Sequence, residues 1–198
     1  MKIIIVGAEG TIGKSVTASL EKDHDIIKVG RKSGDIHADI TNPDSVQSMF
    51  KTTGAFDALV NISGTGHWGP LKTMTPENFQ KGLNSKLAGQ INLVLIGKDY
   101  INKKGSFTLT TGILSDDPVL GSANLAAVNG AVNSFVLSAS LELENDVRIN
   151  AISPGVVEDS PEMFSDFPGH IPVSMERVAS AYRKSVLGII TGQIIRVW

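Results

Sequence analysis

The stretch Gly7-Ala8-Glu9-Gly10-Thr11-Ile12-Gly13 has the residue types and spacing best suited to chemistry in this chain. Its glycines follow the apolar run Ile3-Ile4-Ile5-Val6 and precede a helix-like segment over 14–22. Glycine lets the backbone turn tightly, lets phosphates approach the main chain and lets a helix pack close to a strand. The free N–H groups and positive dipole end of that helix favour a pyrophosphate. The pattern therefore points to a dinucleotide. Other chemistries find less support. The chain has no cysteine, which excludes disulfides, thiolate catalysis and cysteine metal sites. His24, His37 and His170 have no metal-like spacing and read as surface residues, and no Ser-His-acid order stands out.

The elements that must position this turn alternate regularly. The apolar run reads as a strand buried on both faces. Further strands are expected at 25–30, 35–40, 56–62, 105–110, 147–152 and 193–198. Helices are expected from Thr41-Asn42-Pro43, a capping signature, to about 51, and from Thr75 to about 102 with a break. Two more are expected over 122–144 and 174–187. Such alternation implies a three-layer, doubly wound parallel sheet of the α/β class, a Rossmann-type fold with right-handed crossovers. One domain over 1–198 is expected. Segment 158–172, with three prolines and two phenylalanines, is open to two readings, a flexible lid or an ordinary surface loop.

The formal net charge of −2 gives no basic field for nucleic acid and no polybasic patch for a membrane. The first residues lack the features of a signal peptide and no apolar run is long enough to span a bilayer, so a cytoplasmic location is expected.

Four segments in this order resemble the short-chain dehydrogenase/reductase family over essentially the whole chain. They are the glycine turn, Asp39-Ile40, Asn61-Ile62-Ser63-Gly64, and the run Arg148 to Gly155 that ends in Pro154-Gly155. The resemblance implies cofactor contacts from Gly7, Glu9, Gly10, Thr11, Ile12 and Gly13, with Asp39 and Ile40 at the adenine. Asn61, Ser63 and Gly64 would line the cofactor groove, and Pro154 and Gly155 would lie beside the nicotinamide. The glycine spacing departs from the commonest family pattern.

Cofactor choice follows from what ends the second strand. An acid there holds the ribose hydroxyls of NAD(H); here Gly30 is followed by Arg31, Lys32 and Ser33. Arginine grips a 2′-phosphate through charge-assisted bonds, so NADP(H) is expected over NAD(H). A solvated basic turn is the competing reading, and Asp35 nearby counts towards it.

The resemblance fails at the proton-transfer centre. Family members carry Tyr-x-x-x-Lys at the start of the long helix after the fifth strand; here Gly121 and Leu125 stand at those positions. The position usually held by asparagine is Lys86. The usual serine falls among Thr110, Thr111 and Gly112, with Thr111 the best surviving hydroxyl. Lys86 could donate a proton or only bond carbonyls at a helix break. His67, beside Trp68, could overhang the active-site mouth or simply be solvated.

Two functions compete. One is an atypical oxidoreductase of unknown substrate, acting on a small carbonyl or alcohol. The other is a catalytically inactive cofactor-binding protein, a redox sensor or partner subunit. The apolar helix over 122–144 suggests a homodimer or homotetramer.

Overall fold

A computed structural model describes residues Met1–Trp198. Its sheet has seven strands, all parallel, in the order β3-β2-β1-β4-β5-β6-β7. They are β1 (Lys2–Val6), β2 (Asp25–Gly30), β3 (Ile36–His37), β4 (Phe56–Asn61), β5 (Ile101–Thr110), β6 (Arg148–Pro154) and β7 (Gln193–Val197). The helices are α1 (Thr11–Leu20), α2 (Pro43–Thr53), α3 (Pro76–Gly82), α4 (Gly89–Gly97), α5 (Ala123–Ala139) and α6 (Met175–Leu187). A π-helical turn, Leu83–Ala88, joins α3 to α4. The strand order reverses between β1 and β4, and ligands in open α/β sheets bind at such a switch point.

The opening apolar run shows why both faces must be covered. Ile4 and Val6 join the core beneath α2, α4 and α5, while Ile3 and Ile5 join the core beneath α1 and α6. Side chains alternate across a strand, so an unbroken apolar run has no wet face. Helix starts follow local capping. Asn42 Oδ1 accepts from Asp44 N at 2.9 Å, Thr75 from Asn78 N at 3.2 Å and Ser174 from Arg177 N at 3.3 Å.

Several boundaries differ from expectation. The first helix spans Thr11–Leu20 rather than 14–22, and the helical region expected to reach about 102 ends at Gly97, because residues 101 and 102 are taken up by β5. The strand expected over 35–40 ends at His37, because the Asp39 carboxylate accepts from Thr41 N at 2.9 Å and closes a turn. β5 begins at Ile101 instead of 105, with an irregular register against β4 that absorbs Lys104 at φ 63°. α5 stops at Ala139 rather than 144. Ser140 donates back to Leu137 O at 2.8 Å, and the following turn places Asn145 and Asp146 at positive φ.

Candidate functional site

The glycine turn lies at the switch point. Gly7 has φ +87° and donates to Val29 O at 2.8 Å, which ties the turn to β2. A Cβ on Gly13 would stand 2.0 Å from Gly7 O, so only glycine lets α1 start this close to the turn. Gly10 caps α1 without a side-chain bond, leaving the first-turn N–H groups directed at the cleft.

A cleft of about 410 Å³ opens over this turn. Gly7, Glu9 and Gly10 form one side, Ser63 and Gly64 another. Arg31, Ser33, Asp39 and Ile40 close its far end. Gly30 cannot carry a carboxylate without rebuilding this end, since a Cβ there would meet Ser33 O at 2.7 Å. Hydrogen bonds from Thr41, aided by nearby Arg31, hold the Asp39 carboxyl below the usual carboxylate range. Lys32 is exposed and lies outside the cleft. Asn61 is fully buried and also outside it; its amide donates to Ser63 O at 3.1 Å and Gln90 Oε1 at 2.9 Å, bracing the loop instead of lining the groove.

A second cleft of about 340 Å³ continues from Gly10, Thr11, Ile12 and Gly13 to Pro154 and Gly155. Between them lie Lys86, Thr111, Gly112, Leu125 and Asn129. Lys86 sits in the π turn, a distortion that often marks a functional position. Its stem runs beside Gly64, where a Cβ would stand 3.2 Å from Lys86 Cδ. Gln90 Nε2 bonds the Lys86 carbonyl at 2.9 Å, so the altered turn leaves that acceptor satisfied. Burial alone pushes the Lys86 amine down to about 8, with no carboxylate to offset it.

The two hydroxyls at the end of β5, Thr110 and Thr111, are committed to the backbone or to Tyr182. Thr111 Oγ1 donates to Ile152 O at 3.4 Å. Thr110 Oγ1 donates to Asn61 O at 2.5 Å and lies 2.6 Å from the Tyr182 hydroxyl. Tyr182 is fully buried, and burial pushes its phenol up, so it stays protonated and serves the core.

His67 lines neither cleft. Its backbone N–H donates to Asn124 Oδ1 at 2.8 Å, and its ring folds over Gly69, where a Cβ would stand 3.0 Å from Nε2. Gly121 has φ +83°, with Trp68 Nε1 3.2 Å from where its Cβ would stand.

Segment 158–172 covers the second cleft. Val157 bridges Val173 at its base, and Glu158 Oε1 accepts from Met175 N at 2.9 Å. Ser160, Met163 and Phe167 line the cleft, and the Phe167 and Trp68 rings lie 6.0 Å apart. His170, expected on the surface, packs its ring edge-on to Phe167 and places Nε2 3.1 Å from Asp117 Oδ2. The adjacent Asp116 holds Arg196 of β7 at 2.7 Å.

Sequence reasoning passed over Asn124, Asn129 and Gln90. Asn124 ties α3 to the His67 loop, donating to Phe79 O at 2.8 Å. The signal was present, since amides within otherwise apolar helices need a buried partner. No cluster of three or more His, Cys, Asp or Glu could hold a metal, and no helix is long and apolar enough to cross a membrane.

The known proteins similar to this chain agree with the geometry. A family profile described as "Enoyl-(Acyl carrier protein) reductase" matches residues 7–182. The protein lin1944 from Listeria innocua, a solved structure, is 46% identical over 100% of both chains, with a TM-score of 0.99. A small-chain dehydrogenase solved in complex with NADPH is 27% identical, covering 100% of this chain and 96% of its own, at a TM-score of 0.89. Tetrahydroxynaphthalene reductase PfmaG of Pestalotiopsis fici is 27% identical over 79% of this chain and 58% of its own length. The chain thus spans little more than half of the first curated relatives it matches, 53% to 58% of their length. With the parallel sheet, the glycine turn at its switch point and the matched profile together, the chain belongs to the short-chain dehydrogenase/reductase family of oxidoreductases.

Proposed function

We propose that this chain is an NADP(H)-dependent carbonyl reductase in which the family's Tyr-x-x-x-Lys pair is absent and Lys86 provides the proton. The observation that carries the proposal is the buried, carboxylate-free amine of Lys86 in the cleft between the glycine turn and Pro154-Gly155. The relatives named as reductases and the NADPH-bound dehydrogenase support the reaction class. Arg31 and Ser33, with Gly30 in place of an acid, support a 2′-phosphate.

The residues fit that cofactor. The N–H groups at the start of α1 would hold the pyrophosphate, and Asp39 and Ile40 would flank the adenine. NADPH bound there would supply a hydride, one proton with two electrons, to a carbonyl carbon and so leave an electron pair on the carbonyl oxygen. The protonated amine of Lys86 gives its proton to that oxygen, and the neutral amine regains one from solvent. A positioned acid contributes about 10²–10⁴ in rate, and an amine that titrates near neutrality is suited to the task. Leu125, Met163 and Phe167 give the cleft apolar walls around the transfer.

The competing reading, a cofactor-binding sensor or partner subunit without turnover, draws on Gly121 and Leu125. Following nicotinamide absorbance over a panel of aldehydes and ketones separates the two. The expected result is NADPH oxidation whose rate falls as pH rises through about 8, and loss of turnover with retained NADPH binding in Lys86→Met. NADPH binding with no turnover across the panel overturns the catalytic reading.

A further inference from the structure

Lys86 is the sole ionisable side chain among the residues that line the second cleft. It is 8% exposed and borders a cavity of about 340 Å³ whose walls include Ile62, Leu125, Val156, Met163 and Phe167. The stem is fixed by the π turn. A Cβ on Gly64 would stand 3.1 Å from Lys86 Cα and 3.2 Å from Cδ, so the side chain lies directly against that glycine. Lys86 takes part in none of the chain's salt bridges, and burial is the one influence that shifts its amine. An amine desolvated on a held stem, with no charge beside it, is a nucleophile as well as an acid.

We propose that Lys86 is also a covalent capture site, at which the neutral amine of the cofactor-free chain adds to a short apolar aldehyde and holds it as an imine. The nitrogen lone pair bonds to the aldehyde carbon, the carbonyl π pair moves to oxygen, and a proton passes from nitrogen to that oxygen through solvent. The carbinolamine then loses its hydroxyl with the second nitrogen proton as water, which leaves a carbon–nitrogen double bond. Amine and aldehyde thus give imine and water, with nothing oxidised or reduced, and hydrolysis reverses the capture. The cavity and its walls suit a short apolar chain, and an aldehyde needs less room beside Gly64 than a ketone does. Capture goes beyond the reductase reading. Reduction uses the protonated amine with NADPH in place, whereas capture uses the neutral amine and needs no cofactor.

The test exposes the full chain, without cofactor, to isobutyraldehyde at pH 7 for brief intervals. Borohydride ends each interval and fixes any imine as a secondary amine. Intact mass counts the isobutyl groups, and peptide mapping locates them. Lys86 is expected to be modified roughly tenfold faster than the average exposed lysine, because far more of it is neutral. Lys86→Met is expected to lack that fast adduct and keep the slow ones. In urea the preference is expected to vanish, since the cleft that creates it is gone. Modification of Lys86 no faster than of exposed lysines in the folded chain overturns the proposal, and so does a preference that survives unfolding. Fast modification of Lys86 with no NADPH turnover overturns the reductase reading alone; turnover without fast modification overturns capture alone.

Discussion

Replacing Lys86 by Met tests the buried amine independently of catalysis, because it removes the charge and keeps the length and most of the packing. The amine falls from an ordinary 10.5 to about 8 through burial alone. At ~1.4 kcal/mol for each pH unit, that drop corresponds to about 3 kcal/mol. Below pH 8 the amine is protonated in both folded and unfolded chains, and the folded state bears the full cost of burying it. Between about 8 and 10.5 the unfolded chain holds a proton that the folded one has released, so stability rises with pH. Apolar replacement of a buried, uncompensated charge is therefore stabilising near neutrality. For a chain of this size Lys86→Met is expected to melt roughly 6–12 °C above native protein at pH 7. The gap is expected to shrink by more than half at pH 10. Melting of both proteins without cofactor, by circular dichroism across this range, provides the check. A lower melting temperature for Lys86→Met at pH 7, or a gap that does not change with pH, refutes the reasoning.

Arg31→Ala is expected to weaken NADPH by about 1.5–3 kcal/mol, the worth of a charge-assisted phosphate bond, and leave NADH nearly unchanged; titration of both cofactors measures the ratio. Gly121→Tyr with Leu125→Lys is expected to destabilise the fold without raising activity above that of native protein, since Gly121 has φ +83° and faces Trp68. A stable double variant with faster turnover than native protein contradicts that account. Self-association is expected across α4 and α5, where Leu95 and Leu137 are each 52% exposed beside a groove that includes Phe135 and Leu143. A light-scattering mass near 21 kDa rules it out, and Leu95→Glu with Leu137→Glu is expected to break the assembly.

What could be read in advance was what depends on neighbours along the chain. Ile3 to Val6 reads as a two-faced strand because alternation is local, and Gly7 to Gly13 reads as a turn because glycine's conformational range is its own. Lys86 could be singled out, but its burial depends on a π turn shaped by Gln90, Gly64 and the strands behind them. Asn129 was missed because its place in the cleft depends on which face of α5 meets it, and a mostly apolar helix leaves that face unmarked. His170 was read as a surface residue because Asp117 is distant in sequence and adjacent only after β5 and β6 have paired. The two readings of 158–172 could not be separated without knowing that Phe167 had Trp68 to rest on.

Asp116 and Asp117 are consecutive, yet one grips the terminal strand through Arg196 and the other grips the cleft cover through His170. Sheet edge and cover are thus fastened to one short stretch of backbone, like two cables on a single post. A line of contacts thus runs over the surface from Arg196 through Asp116, Asp117 and His170 to Phe167 without crossing the core. The cleft cover and the last strand share one two-residue anchor.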